Sequence, residues 1–352
     1  MASDAATAQI ALTDEYELYA RAKEARVRAL LAGHGLDGLF RGLARCPVER
    51  GWRMQASFYV IDGRWVGVDP RRGRVPADEA LWTLPEHARP LAAGIAARIA
   101  SADVRGVTGF DLRLEYGSER AHLGLAVERG ADAGPAPLCE ELLGECTALL
   151  GVAVPSRGME IGEAYLRHQV LGKTVLAHHR AFFQTNRWLT PELAAAAGRA
   201  AADDRSSLVD LYCGVGLHSV LAADAGSRVF GVDTNRWAVD SARRNAALHG
   251  LALARYLDRP VERLPRAGEG ALDAPSVVFV NPSRFGCAPG VAEAVAGWRP
   301  KAVCLVSCSI DSHVRDVLAF GRAGYRPLPF GSFDMFPFSE FLESVTVFHP
   351  ER

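Results

Sequence analysis

Apolar and polar positions change their rhythm along this chain near residue 186. Residues 14–33, DEYELYARAKEARVRALLAG, repeat apolar side chains at the helical period and end at Gly33, a common helix stop. Short strand-like runs follow, QASFYVID, RWVGVD and AHLGLAVERG, separated by Gly, Pro and Asp turns, with a helical AAGIAARIA among them. This part predicts a smaller α+β domain over residues 1–180. From about residue 186, the apolar runs SLVDLY, SRVFGVD, SVVFVN and KAVCLVSC alternate with helical stretches such as NRWAVDSARRNAALHG. Strict alternation of strand and helix predicts a parallel sheet covered on both faces, over residues 181–352. The last run, FLESVTVFHP, follows the turn-rich GSFDMFPFS by a short connection, so it is expected to close the sheet antiparallel to its neighbours.

Composition narrows the class without naming a chemistry. With 49% hydrophobic and 23% charged residues over 352 positions, the chain reads as ordinary globular protein, and neither disorder nor a fibrous repeat fits. No window approaches the roughly 20 apolar residues of a membrane span. The opening MASDAATAQIALTDEYELYA carries acids where a signal peptide has its basic flank, so a cytoplasmic location with no membrane partner is expected. Seven cysteines with no CxxC pair predict reduced thiols. The 40 basic and 41 acidic residues leave a net charge of −1, which gives no general attraction to nucleic acid. Only a local surface would supply one. Arg41, Arg45, Arg50, Arg53, Arg64, Arg71, Arg72 and Arg74 lie among Trp52, Phe58, Tyr59 and Trp65, a pattern that suits an RNA-facing surface or merely a solvated face. Lys23, Lys173 and Lys301 are the only lysines in the chain.

Four positions carry candidate chemistry. DLYCGVG (210–216) sits where a strand passes into a helix, where glycines let the backbone approach a ligand; a tight turn is the plain alternative. Asp233, at the end of the next strand, is placed as an acid that holds a ribose diol. Because the third glycine of a dinucleotide loop is missing, the pair points to S-adenosylmethionine. Asn281 in NPSRFG follows another apolar strand and should open into the same crevice, or simply turn the chain. Cys308 in LVSCS ends its strand beside it, where a following helix N-terminus would lower the thiol's pKa. Glu343 opens the closing strand and would serve as a base if burial raised its pKa.

Together, FFQTN (182–186), DLYCGVG, FGVD, VNPSRFG, VSCS and FDMFPFSEFLES (333–344) resemble the S-adenosylmethionine-dependent RNA uracil-C5 methyltransferases, with a fainter likeness in CPVERGWRMQASFYV (46–60). The resemblance implies a Rossmann-like class I methyltransferase domain with a mostly parallel seven-stranded sheet. It implies that Gln184, Tyr212, Asp233 and Asn281 contact S-adenosylmethionine, that Gly214 and Gly216 shape its loop, that Cys308 is the nucleophile and that Glu343 is the base. The expected activity is methyl transfer to C5 of a uridine through a Cys308–C6 adduct. Asn281, FFQTN and FDMFP are similar to the branch acting on 23S ribosomal RNA, so ribosomal RNA is favoured over transfer RNA, with a monomeric enzyme expected. The chain departs from the family at Ser283, Ser309 and Phe338-Ser339-Glu340. It also lacks the cysteine cluster of the ribosomal branch, so no iron–sulfur cluster and no metal site are expected. Alternatives on the same scaffold are methylation of a free nucleoside, of another small molecule or of a base amino group, and an inactive RNA-binding homologue.

Overall fold

Helical periodicity and strand alternation resolve into two large sheets that interleave along the sequence, with a two-stranded hairpin between them. The computed structural model describes residues 12–102, 106–128, 135–263 and 274–351. An N-terminal helix, Asp14–Ala32, capped by Thr13, leads into β1 (Phe40–Ala44). A seven-stranded sheet follows, built from β2 (Gln55–Ile61), β3 (Arg64–Asp69), β4 (Gly73–Pro76), β5 (Val107–Leu114), β6 (Ala121–Val127), β7 (Leu149–Val154) and β8 (Met159–Gly162), in the order β4-β3-β2-β5-β6-β7-β8. Phe58 and Phe110 stack at 4.9 Å in its core beneath the helix Ala88–Ser101. The hairpin β9 (Tyr165–Val170) and β10 (Lys173–His178) joins it to the second half.

The second sheet contains β11 (Ser207–Leu211), β12 (Arg228–Asp233), β13 (Ala254–Asp258), β14 (Val277–Val280), β15 (Ala302–Ser307), β16 (Tyr325–Pro327), β17 (Phe330–Phe333) and β18 (Glu343–Pro350). Its order is β1-β17-β18-β15-β14-β11-β12-β13, with β16 also on β18, making nine strands. From β13 to β15 every pairing is parallel, and β18 runs antiparallel to β15, β16 and β17. Every residue of β14 and β15 is buried, as continuous apolar runs covered on both faces must be. The parallel sheet and its antiparallel closing strand agree with the sequence pattern. The extra width was not legible there, because β1 comes from the other end of the chain and pairs parallel with β17.

The same N-terminal segment holds the loop that leads into β18. Lys23, one of the three lysines, is 6% exposed and spends its ammonium on Asp334 Oδ1 and on the carbonyls of Phe336 (3.1 Å) and Phe341 (2.9 Å). Tyr16 donates its hydroxyl to Asp334 Oδ2 at 2.8 Å and accepts from Cys46 N. Asn186, fully buried, donates to Met335 O (3.1 Å) and Cys46 Sγ while its Oδ1 accepts from Trp188 N and Leu189 N. Segments 46–54, 182–186 and 333–341 are therefore one hydrogen-bonded unit, which explains why the faint likeness at 46–60 accompanies the stronger motifs. Removing Lys23 would leave the Asp334 carboxylate buried and unpaired. Lys23→Met is expected to cost about 3–5 kcal/mol in urea unfolding, and adding Asp334→Asn should recover part of that loss.

Candidate active site

Adjacent strands β14, β15 and β18 deliver their loops to one end of the large sheet. Val280 pairs with Leu305, and Ser307 with Ser344. Cys308 directly follows and Glu343 directly precedes that last antiparallel pair, and the Glu343 carboxylate acts on the Cys308 thiol, so the two residues expected to carry the chemistry are brought together. Glu343 is 3% exposed; Gln184 hydrogen-bonds it, while Glu343 Oε2 and Gln184 Oε1 are buried without partners. Burial pushes the Glu343 carboxyl up to about 8 against the opposing Gln184 contact. Burial, and then the Glu343 charge, push the half-buried Cys308 thiol up to about 11, with Arg284 acting the other way. The expected lowering of this thiol by a helix N-terminus is thus overturned. Loss of water and a neighbouring carboxylate both disfavour the thiolate, and Ser309 already serves the helix Ile310–Arg322 as its cap by accepting from Ser312 N.

Gln184 reaches Glu343 because the α+β half holds its backbone. Tyr116 donates its hydroxyl to Gln184 O, and Met54 N donates to Thr185 O at 2.7 Å. Next in the chain, Asn186 Oδ1 accepts from Trp188 N and Leu189 N, fixing the turn that leads into the helix Thr190–Gly198.

The glycine loop and Asp233 form a second unit. Asp233 ends β12 and accepts from Gly214 N (2.9 Å) and Asn235 N (2.8 Å). Gly214 has φ +53° and a Cβ built on it meets nothing within 4 Å, so its face is open; at Gly216 (φ +78°) a Cβ would lie 3.2 Å from that of Ala242. Gly214 therefore leaves room for a ligand and Gly216 permits close packing. Asn281 is half-buried immediately after β14, its N–H bound to Leu211 O at 3.2 Å, which places it between this loop and Cys308. Tyr212 has the left-handed φ of +57° and turns into a cleft of about 770 Å³ shared with Ser283, Phe285 and Arg315, where its hydroxyl accepts from Ala288 N.

Sequence reading missed Asp210. This fully buried acid accepts from Ser219 N and Oγ, and burial pushes it up to about 7; its Oδ1 has no partner. An acid inside a run that otherwise reads as core, SLVDLY, was the available signal. Lys23 was marked by its rarity.

Six of the eight arginines in the stretch, Arg41, Arg50, Arg64, Arg71, Arg72 and Arg74, are exposed, and several of the eight already have partners. Arg45 pairs with Glu17, Arg71 with Glu15, and Arg72 with Glu79; Arg53 is desolvated and reaches Val68 O. Arg50 and Arg71 lie over Trp82, while Trp52 and Phe58 are core. Among the described residues, Glu160, His178 and His179 bring metal-capable atoms within 4.8 Å of one another. His178 Nδ1 accepts from Arg180 N, which leaves the proton on Nε2, and Arg180 Nε lies 3.3 Å from Glu160. That cluster is a clasp already neutralised by a cation. No helix among the described residues is long and apolar enough to cross a membrane.

No protein-family model matches the chain. It is 31% identical over 185 residues to an uncharacterized RNA methyltransferase of Caldanaerobacter subterraneus subsp. tengcongensis, covering 52% of this chain and 40% of that protein. It is 37% identical over 169 residues to another from Bacillus cereus, covering 47% and 36%. The chain thus spans less than half the length of these curated relatives. Among solved structures, it resembles the Pyrococcus abyssi tRNA (uracil-54, C5)-methyltransferase, which was crystallised with S-adenosyl-L-homocysteine. The TM-score is 0.72, with 19% identity and coverage of 95% of this chain and 83% of that one. The chain has the Rossmann-like methyltransferase fold and is similar over about half its length to bacterial RNA methyltransferases.

Proposed function

We propose that this protein methylates C5 of a uridine in RNA, using Cys308 as nucleophile and Glu343 as base. The observation that carries the reading is the placement of Cys308 next to a buried Glu343 held by Gln184, beside a glycine loop and acid suited to a nucleoside. S-adenosylmethionine fits the residues present: Asp233 for the ribose diol, the open face of Gly214 for close approach, and the unpartnered Gln184 Oε1 for a donor group. When bound, it supplies an electrophilic methyl group.

The chain's own groups supply the rest. Uracil C5 is a weak carbon nucleophile, and addition of the Cys308 thiolate to C6 raises its electron density. After methylation at C5, the Glu343 carboxylate takes the C5 proton; the C6–S bond then breaks, releasing the thiolate and 5-methyluridine. A buried carboxyl near pKa 8 is well matched to that proton transfer close to neutral pH. Asn281, at the mouth between the two units, offers both a donor and an acceptor to the uracil edge. The reaction requires an extruded base, so loops and single strands are favoured. Ribosomal RNA remains the proposed class, on the basis of FFQTN, Asn281 and FDMFP.

RNA carrying 5-fluorouridine blocks proton removal, so wild-type enzyme should accumulate a denaturation-resistant complex, and Cys308→Ala should form none; trapping by that variant removes Cys308 from the scheme. Glu343→Gln should accumulate the adduct with ordinary uridine, and full turnover by this variant would exclude Glu343 as the base. Proton removal from the methylated adduct, timed in single turnovers, should speed up with pH by up to about tenfold per unit below pH 8 and then flatten, as the carboxyl loses its proton through its value of about 8.

The same shift has a stability consequence. Native Glu343 keeps a proton that the unfolded chain releases above its ordinary 4.5, so the group costs stability progressively from there up to about pH 8. Glu343→Gln should therefore melt higher than wild type at pH 8, and the difference should vanish near pH 4.

A further inference from the structure

Fifteen phenylalanines occur in the chain, and among the described residues only three are exposed: Phe182 at 60%, Phe285 at 72% and Phe341 at 48%. Each lies on a segment that builds the active site. Phe182 precedes Gln184, Phe285 follows Arg284, and Phe341 precedes Glu343. The last two segments leave β14 and enter β18 on either side of Cys308, as the strand order β18-β15-β14 requires. All three exposed phenyl rings thus sit on segments next in sequence to the proposed site residues, where surface side chains most often bind ligands.

Both of these rings ride on backbone that is already fixed. The Phe285 carbonyl accepts from Arg315 and the Phe341 carbonyl from the buried Lys23. Phe336 braces Phe341 edge-on at 6.3 Å. One face of Phe285 is covered by Arg284, whose guanidinium carbon is 5.1 Å from the ring centroid. Arg284 has no carboxylate partner among the described residues, and its charge favours the Cys308 thiolate. A flat apolar ring backed by an uncommitted guanidinium is complementary to a nucleobase joined to a phosphate.

Resting on the uridine reading above, we infer that Phe285 and Phe341 form a stacking platform for the unpaired nucleobases that flank the extruded uridine, with Arg284 meeting the adjoining phosphate. Extrusion strips those neighbours of a stacking partner, and a preset aromatic surface replaces it without ordering cost. The surface therefore selects loop or single-stranded RNA by shape, with little preference for the identity of the flanking bases.

The test uses the full chain, saturating S-adenosylmethionine and bulk RNA from a strain lacking the gene. Phe285→Leu and Phe341→Leu should each raise KM for RNA about tenfold, Phe285→Leu should leave kcat within about twofold, and Phe285→Tyr should behave as wild type. Melting temperatures should not move, since both rings are exposed. A 5-fluorouridine oligonucleotide with abasic flanks should bind wild type and Phe285→Leu equally, whereas the same oligonucleotide with adenine flanks should favour wild type. An unchanged KM in both leucine variants, or equal behaviour of the leucine and tyrosine variants at 285, overturns the platform and leaves these rings to a protein partner. Absence of methyl transfer to any RNA by wild type instead overturns the uridine reading, and the platform with it.

Discussion

The antiparallel ladder between β15 and β18 is the constraint on which the rest of the structure depends. A parallel sheet alone brings strand ends to one side, as it does for Asp233, Asn281 and Cys308, but each of these arrives on a separate loop. Only a strand running the opposite way can begin where its neighbour ends, and β18 does so beside β15: Ser344 pairs with Ser307, and Glu343 and Cys308 are the next residues outward. The cost is a carboxyl group buried at the edge of a β-core, where desolvation holds its proton on. Nothing else in the fold would place a buried acid beside a strand-end thiol with so little freedom to move.

That ladder needs a fixed entry, and the N-terminal segment provides it. Within the turn-rich 334–341 stretch Ser339 donates to Phe336 O and Phe336 packs on Phe341, and Phe338 adopts a left-handed φ of +62°. Tyr16, Tyr19, Trp82 and Arg71 surround the Phe338 ring, and Lys23 binds three acceptors along the same stretch. The other two lysines are also committed to particular acceptors: Lys173 to the carbonyls of Val220, Leu221 and Ala223, and Lys301 to Asp204. At Lys23 and Lys173, a compact ammonium with three donors reaches carbonyls in several directions, which a planar guanidinium does not do in so small a space. Arginine carries the remaining basic charge, and much of it in residues 41–74 is spent on internal pairs and aromatic faces.

The division of labour between the halves follows from these contacts. The seven-stranded sheet is not a free appendage, because Tyr116 and Met54 hold the backbone of residues 184 and 185. Through Gln184 the α+β half touches the acid of the large sheet directly. Charge plays a local part in this arrangement: the chain is nearly neutral overall, and an arginine on the β14 loop favours the thiolate.

The alternation of apolar runs with helices determined the parallel sheet, because strands buried on both faces must be continuously apolar, and β14 and β15 are. The turn-rich approach to residue 343 determined an antiparallel closing strand, because a short connection cannot cross over. Glycines and acids at strand ends marked the nucleoside crevice, since in such sheets strand ends and ligand sites coincide. Tertiary structure alone decided that β1 completes the sheet, that Lys23 and Asn186 bind segments far apart in sequence, and that Arg45 and Arg71 pair with acids of the N-terminal helix. Pairings between distant segments depend on which surfaces remain uncovered after each part folds, and no local period records that. The direction of the Cys308 shift was decided there too, because a helix terminus is visible in a sequence while loss of water and a neighbouring carboxylate are not.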